Sequence, residues 1–528
     1  MANIIYGADI STETRLNMEL ELHEYLLKVT KNHSDKVLMI DAETSRGITC
    51  GQVLQASDRM AKFLHNLGIE KGVVVAIASE NRFEFLPGLL ATLRIGSVFT
   101  CVNPLYTTGE LAHAFDISKP IAVMVTNRTY DKVNTIQKSS DYIKHVINLD
   151  VVDFLKESNI IDDDNEIRTS VPVSTSADPA ATALILYSSG TTGLSKGVQL
   201  THRSIICLME AYRTENILPF PDGNTISGLL PMSHTYGLFC ILSCFVLGHK
   251  YIMIGRYSEE SFLRYIEKHK ITTLYVVPSI VLFLSKSSLV DNYNLSSVKL
   301  ISSGGGPIRK SVEETIKKRF NCDMIQNYGM TETTTMNLIS LPSSKPGITG
   351  RLLPGMMAKI IDLETGYLLG PGEFGEYCIK GPLLMKQYCD TSATSGMVSF
   401  DDEGWLHSGD VAYYDQEHNF YIVDRVKELI KYKGYQVPPA EIEGLLLQLP
   451  DIESIGVVGV PDEEAGELPR AYVVKQTGAE ITAEEIQEYV AENLAPFKKL
   501  RGGVIFVDEL PKTVSGKVER KELKKWVK

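Results

Sequence analysis

At 528 residues the chain is too long for one small domain and can bury a sizeable core. Its 44% apolar and 22% charged composition is ordinary for a soluble globular protein, and a net charge of −12 without a long basic run disfavours nonspecific binding to nucleic acid or anionic membranes. The eight cysteines are scattered with no C-x-x-C pair, a usage that suits a reducing compartment. The first residues, Met1 to Gly7, lack the charged and apolar regions of a signal peptide.

Residues 20–180 alternate helical and strand-like stretches. Gln52 to Leu67 has apolar positions at helical spacing and ends at Gly68, Val73 to Ala78 reads as a short buried strand, Phe83 to Ile95 is helical, and Val98 to Val102 is strand-like. Ala181 to Leu186 is another buried-strand run. From 225 to 330 the alternation continues, with strands at Ile226–Leu230, Thr273–Val277, Leu300–Ser303 and Asp323–Gln326. Helices lie between them at Leu238–Leu247, Glu259–His269 and Ser311–Phe320. The pattern predicts α/β layers around largely parallel sheets. The most apolar segment, Leu238–Leu247, is too short to span a bilayer, and Cys240 and Cys244 within it read as core. After about residue 345 the texture changes to short strands and turns, giving a β-rich subdomain. From Arg425 onward there is room for a small α+β domain, with a capping box at Thr482-Ala483-Glu484-Glu485 opening a helix that runs to about Asn493. The predicted boundary therefore separates 1–424 from 425–528.

Three glycine-rich joints follow apparent strands: 187–197, 303–307 and 327–333. Ligands of open α/β sheets bind beyond the carboxyl ends of strands, so the three joints are expected to line one site. The first reads Tyr187-Ser188-Ser189-Gly190-Thr191-Thr192-Gly193-Leu194-Ser195-Lys196-Gly197. Glycines let a backbone present its N–H groups to an anion, and hydroxyls and a lysine add donors and charge, which is what nucleotide phosphates require. Lys196 follows Gly193 by three residues and precedes Gly197, so the spacing is not that of a Walker A loop and a P-loop kinase is disfavoured.

Six motifs occur in order: Ser188 to Gly197, Tyr328-Gly329-Met330-Thr331-Glu332-Thr333, Gly404 to Asp410, Asp424-Arg425, Lys431 to Tyr435, and Pro511 to Lys517. Each is weak alone. Together, over nearly the whole length, the chain resembles the adenylate-forming superfamily of acyl-CoA synthetases, 4-coumarate:CoA ligases, beetle luciferases and peptide-synthetase adenylation domains. Asn3 to Gly7 and Lys498 to Gly503 are similar to beetle luciferases and their non-luminous relatives, and Val102 to Thr107 to the coumarate-ligase branch.

The resemblance implies two half-reactions, in which a carboxylate and ATP give acyl-AMP and pyrophosphate and a thiol then displaces AMP. It implies that Ser188, Ser189, Gly190, Thr191, Thr192, Gly193 and Lys196 hold the β- and γ-phosphates and that Gly304, Gly305, Tyr328 and Gly329 border the nucleotide, Tyr328 stacking near the adenine. Thr331 would reach the α-phosphate, Glu332 would bind Mg²⁺, and Asp410 would take the ribose hydroxyls with help from Arg425. Lys517 would stabilise charge during adenylation and Lys431 would serve the thiol step. A hinge near Lys427 would swap faces of 428–528 between the steps. His234 would sit at the substrate carboxylate, and Tyr236, Cys240, Gly306, Thr335 and Met336 would wall the acid pocket. Seen singly, Lys517 suits a solvated loop, Glu332 a helix start, and Asp410 a turn.

Relatives that select α-amino acids place an aspartate near the position of Thr235, whereas this chain has Ser233-His234-Thr235-Tyr236 and no acid to pair with a buried ammonium. The expected substrate is therefore a non-amino fatty or aryl acid, with ATP, Mg²⁺ and coenzyme A. Luciferase-type oxidation of luciferyl-AMP is the alternative, put in doubt by Met336, which is larger than its luminous counterpart, and by Thr335 and Cys240. A non-catalytic binding relative is disfavoured by the intact Lys196, Thr331, Glu332, Asp410, Arg425, Lys431 and Lys517. The chain is expected to act as a monomer without nucleic acid or stable membrane insertion. The cytoplasm is the expected compartment and the peroxisome the alternative, although Trp526-Val527-Lys528 is not a peroxisomal address.

Overall fold

The computed structural model describes residues 3–156, 178–189, 195–214, 217–218, 220–221, 223–390, 398–433, 435–512 and 518–527. Gly190, Thr191, Thr192, Gly193 and Lys517 lie outside them.

Two large sheets form the body of the larger domain. One runs, edge to edge, Gln387–Tyr388, Ser195–Thr201, Thr182–Ser189, Val98–Val102, Val74–Ala78, Ala122–Val125, His145–Asn148. The other runs Arg351–Leu352, Leu338–Ile339, Asp323–Tyr328, Leu300–Gly304, Thr273–Val276, Thr225–Gly228, Lys250–Met253, Val37–Asp41, Gly47–Thr49. Their central strands pair in parallel, with antiparallel strands only toward the edges. This agrees with the expected α/β layers. Central strands such as Val74–Ala78 and Ala122–Val125 are nearly all buried because helices cover both faces.

One core joins the two sheets. It contains Val75, Ile77 and Phe99 from the first, Ile226, Tyr251 and Tyr275 from the second, and the helix Thr235–Leu247. That helix is apolar all round because it is packed on all sides, with twelve of its thirteen residues buried. Among the described residues no helix is long and apolar enough to cross a membrane.

A third, mainly antiparallel sheet supplies the β-rich subdomain. It contains Ile5–Tyr6, Met357–Ile361, Gly375–Lys380, Leu406–Tyr414 and Phe420–Arg425. The smaller C-terminal domain has its own sheet, built on the long antiparallel pair Ile452–Asp462 and Gly466–Lys475, and its own apolar core. The Ala483–Asn493 helix opens on the expected capping box: the Thr482 hydroxyl accepts from Glu485 N at 3.2 Å, and Thr482 N donates to Glu485 at 2.8 Å.

Two local forms were left open by the sequence. The 187–197 joint closes a hairpin, in which Thr182–Ser189 and Ser195–Thr201 pair antiparallel. A parallel crossover needs a dozen or more residues, and 190–194 are too few. Asp410 is not in a turn. It lies within the Leu406–Tyr414 strand, opposite Arg425 in register.

Candidate active site

Tyr328 ends the Asp323–Tyr328 strand, and its hydroxyl donates to the carboxylate of Asp410. Burial and the Asp410 charge push the Tyr328 phenol far above its ordinary pKa, so it remains a donor. Arg425 Nε lies 3.5 Å from the other Asp410 oxygen, as their register predicts. Glu376, on the neighbouring strand, accepts from Gly409 N at 3.1 Å and pairs with His407 Nδ1 at 2.9 Å. It thus ties down the backbone just before Asp410. Cys378 Sγ is 3.7 Å from the same ring nitrogen. These three side chains could group around a cation, but both Glu376 oxygens are already engaged, which marks the cluster as scaffold.

Four residues after Tyr328, Glu332 lies buried in the Thr331–Thr333 turn. Tyr388 donates its hydroxyl to Glu332 Oε1 at 2.8 Å, and the Glu332 carbonyl accepts from Met385 N. Lys196, on the hairpin strand Ser195–Thr201, has its ammonium 5.9 Å from the centre of the Tyr388 ring. Burial lowers the Lys196 pKa, the Glu332 charge opposes that shift, and the Lys427 charge adds to it. Thus the expected phosphate lysine, the expected metal carboxylate and the expected hinge lysine share one electrostatic neighbourhood. Ser188 pairs with Lys196 in the hairpin ladder, and Ser189 closes it against Ser195.

His234 caps the Thr235–Leu247 helix, its Nδ1 accepting from Tyr236 N at 3.2 Å. The Tyr236 hydroxyl is held between Ser302 O at 3.3 Å and Asn327 Nδ2 at 3.2 Å, and Asn327 also donates to Ser302 Oγ. These contacts fix the Tyr236 ring beside the strand that ends at Gly304, next to Gly305 and Gly306. Cys240, Thr335 and Met336 are buried. Thr334 and Thr335 take φ of 50° and 80°, a left-handed backbone that β-branched residues disfavour. The strain is held by a close approach: a Cβ on Gly329 would collide with the Thr335 carbonyl.

Sequence reasoning missed Tyr388, Asn327, Glu376 and His407. Asn327 borders the Tyr328 motif, and Glu376 lies on the Gly375–Lys380 strand, within the stretch read as short strands and turns. Only the cross-strand geometry gives either a role. Lys431 is exposed on the Ile430–Tyr432 strand, its backbone N–H donating to Glu467. Among the described residues no hydrogen bond joins its side chain to the groups above.

Residues 26–389 match the family model for AMP-binding enzymes, and residues 441–517 match the model for the C-terminal domain of those enzymes. The chain is 39% identical to a luciferin 4-monooxygenase of Nipponoluciola cruciata over 96% of this chain and 94% of that protein. It is 35% identical to a probable 4-coumarate–CoA ligase of Dictyostelium discoideum over 96% and 95%. Among solved structures, ATP-bound MatB from Rhodopseudomonas palustris superposes with a TM-score of 0.84 at 26% identity, covering 96% of this chain and 99% of that one. Motif order, fold and these matches agree: the chain belongs to the AMP-binding, adenylate-forming enzyme family that includes acyl- and aryl-CoA ligases.

Proposed function

We propose that the protein activates a non-amino carboxylic acid with ATP and passes the acyl group to coenzyme A. One observation carries this reading. A single short stretch, Tyr328 to Glu332, holds a phenol bonded to the Asp410 carboxylate at one end and a buried carboxylate within the field of Lys196 at the other. A ribose diol fits Asp410, which has two acceptor oxygens, and a polyphosphate fits Lys196 and the hairpin. Glu332 fits a hard divalent cation because it offers buried carboxylate oxygen. When bound, Mg²⁺ supplies positive charge that steadies the departing pyrophosphate.

In the first step a substrate carboxylate oxygen bonds to the α-phosphorus, the bond from that phosphorus to the bridging oxygen breaks, and pyrophosphate leaves. Lys196 and Thr331 orient the chain of phosphates, and Lys517 is assigned to the charge that builds at the reacting centre. In the second step the thiol sulfur bonds to the acyl carbon, the carbon–oxygen bond to AMP breaks, and the thiol proton passes to solvent. Lys431 is assigned to this step, and His234 to the acid's carboxylate.

The proposed boundary is 1–424 and 425–528, with the hinge at Lys427 in the Val426–Glu428 turn. Rotation about it must break specific ties. Arg309 donates to Glu441 O at 3.1 Å, Lys286 to Leu447 O at 2.9 Å, and Ala440 N to Asp424 at 2.8 Å.

A second reading, oxidation of a luciferin-like adenylate with light emission, is favoured by the similarity to luciferin 4-monooxygenase. It shares the first half-reaction. The test is mass spectrometry of products from ATP, Mg²⁺, coenzyme A and a panel of fatty, cinnamic and luciferin-like acids. Acyl-CoA with AMP supports the ligase. Acyl-AMP that persists without thioester, with light under oxygen, supports the second reading. Neither product from any acid overturns both.

A further inference from the structure

Resting on the adenylation reading above, we infer that Asn81 is a positioning residue for the first half-reaction: its carboxamide holds the loop 228–232 and thereby sets where His234 meets the acid's carboxylate.

Asn81 follows the Val74–Ala78 strand of one large sheet, whereas the loop leaves the Thr225–Gly228 strand of the other. The side chain spans the two. Its Oδ1 accepts from Met232 N at 2.8 Å, and its Nδ2 donates to Leu230 O at 3.1 Å and to Gly228 O at 3.4 Å. An N–H on one side and two carbonyls on the other fix which end of the amide is oxygen. Of the short side chains, only the carboxamide offers an acceptor oxygen beside two donor hydrogens. Aspartate would set a negative oxygen against carbonyls, and leucine would leave all three backbone groups unserved. The anchor is itself held. Arg82, the next residue, ion-pairs with Glu84 and Asp150 at 2.8 Å each and donates to Leu149 O at 3.2 Å.

The loop passes its position on to His234. Pro231 O accepts from His234 N at 3.0 Å, which closes a tight turn. The first turn of the Thr235–Leu247 helix lies directly on that turn: a Cβ on Gly237 would collide with the Pro231 and Leu230 carbonyls, so loop and cap move together. Cys101 adds a second, weaker tie from the first sheet. Its buried thiol, kept protonated by burial, lies 3.6 Å from Ser233 O. With Nδ1 accepting from Tyr236 N, the neutral His234 ring carries its proton on Nε2. Misplacing such a donor by about 1 Å can cost about 100-fold in rate. All three Asn81 bonds fall on this loop, and the proposed ribose site at Asp410 lies on a different sheet. Loss of the clamp therefore acts on the acid and spares the nucleotide.

The test is a double-mutant cycle on acid-dependent pyrophosphate release by the full chain, using the acid of the fatty, cinnamic and luciferin-like panel that it turns over fastest. Asn81→Ala is expected to lower kcat/KM for the acid by about 10- to 100-fold while the ATP dissociation constant stays within about twofold. In a His234→Ala background the same change is expected to cost less than about threefold, because the group it positions is gone. Asn81→Gln keeps both polar groups on a stem one methylene longer, so it spares the fold while shifting the loop, and it must show the same dependence on His234. Calorimetric affinity for the acid, read in the same proteins with a non-hydrolysable ATP analogue, repeats the cycle without turnover. Equal losses in both backgrounds, or ATP binding weakened as much as acid use, would make Asn81 a general structural residue and overturn the inference. A kcat/KM within about twofold of wild type in both Asn81 variants also overturns it. Each of these leaves the adenylation reading standing. Wild type that releases no pyrophosphate with any acid of the panel would fail the adenylation reading itself.

Discussion

Replacing Asp410 by alanine should separate nucleotide binding from fold. The carboxylate is 6% exposed, accepts from Tyr328, and lies 3.5 Å from Arg425 Nε. Its removal takes the carboxylate acceptor from the partly buried Tyr328 phenol, at a cost of up to about 1–3 kcal/mol of stability. It also deletes the proposed acceptor for two ribose hydroxyls. Hydrogen bonds to a charged group contribute about 1.5–3 kcal/mol each, so losing two amounts to at least about 3 kcal/mol. At 1.4 kcal/mol per factor of ten, the ATP dissociation constant should rise by roughly 100-fold or more. Calorimetric titration with ATP and chemical denaturation read the two effects separately. Two controls apportion them. Asp410→Asn keeps one acceptor and the shape, and should weaken ATP binding less. Tyr328→Phe removes the donor but spares the carboxylate, and should change ATP affinity by less than about tenfold. If Asp410→Ala binds ATP within twofold of wild type, the ribose assignment is wrong.

Glu376→Gln should leave the fold intact but loosen the segment before Asp410, because an amide has one acceptor oxygen to serve both Gly409 N and His407. A several-fold rise in KM for ATP with little change in that for the acid is expected, and equal effects on both would deny the positioning role. Lys517→Ala should cut adenylate formation by orders of magnitude while sparing ATP binding, and Lys431→Ala should spare pyrophosphate release yet slow thioester formation. If Lys431→Ala slowed both steps equally, the two-face assignment would not hold. A pH effect follows from His202, which accepts from Leu22 N at Nδ1 and whose pKa burial lowers from 6.5 to about 4. The unfolded chain therefore binds a proton that the folded chain refuses between those values. Stability should be full above pH 6.5 and should fall, by up to about 3 kcal/mol from this residue, as pH drops toward 4. His202→Gln, which can still accept from Leu22, should show a shallower loss over that window. An unchanged slope in urea denaturation would contradict the assignment.

The secondary structure was legible where one physical signal dominated. The buried strands and the Ala483–Asn493 helix announced themselves by apolar runs and a capping box, which are local. The order of six motifs along the chain identified the superfamily, because order survives without knowledge of distance. The hairpin at 187–197 was not legible because glycine and hydroxyl content marks a joint without giving the pairing direction of the strands it links. Taken singly, Asp410 suited a turn, since Ser408-Gly409-Asp410 is a turn composition, yet neighbouring strands on both sides hold it in a strand.

The sequence alone determined which residue types were available: a lysine and glycines for phosphates, carboxylates for ribose and metal, and no acid beside Thr235 for an ammonium. Only the tertiary structure decided who meets whom. Tyr328 and Asp410 are 82 positions apart, and Tyr388 and Glu332 are 56 apart. Asn81 and Met232, 151 positions apart, meet only because the two large sheets share one core. Hydrogen bonds and burial act over a few ångströms, and the chain separation of such partners carries no trace of that distance until the sheets close.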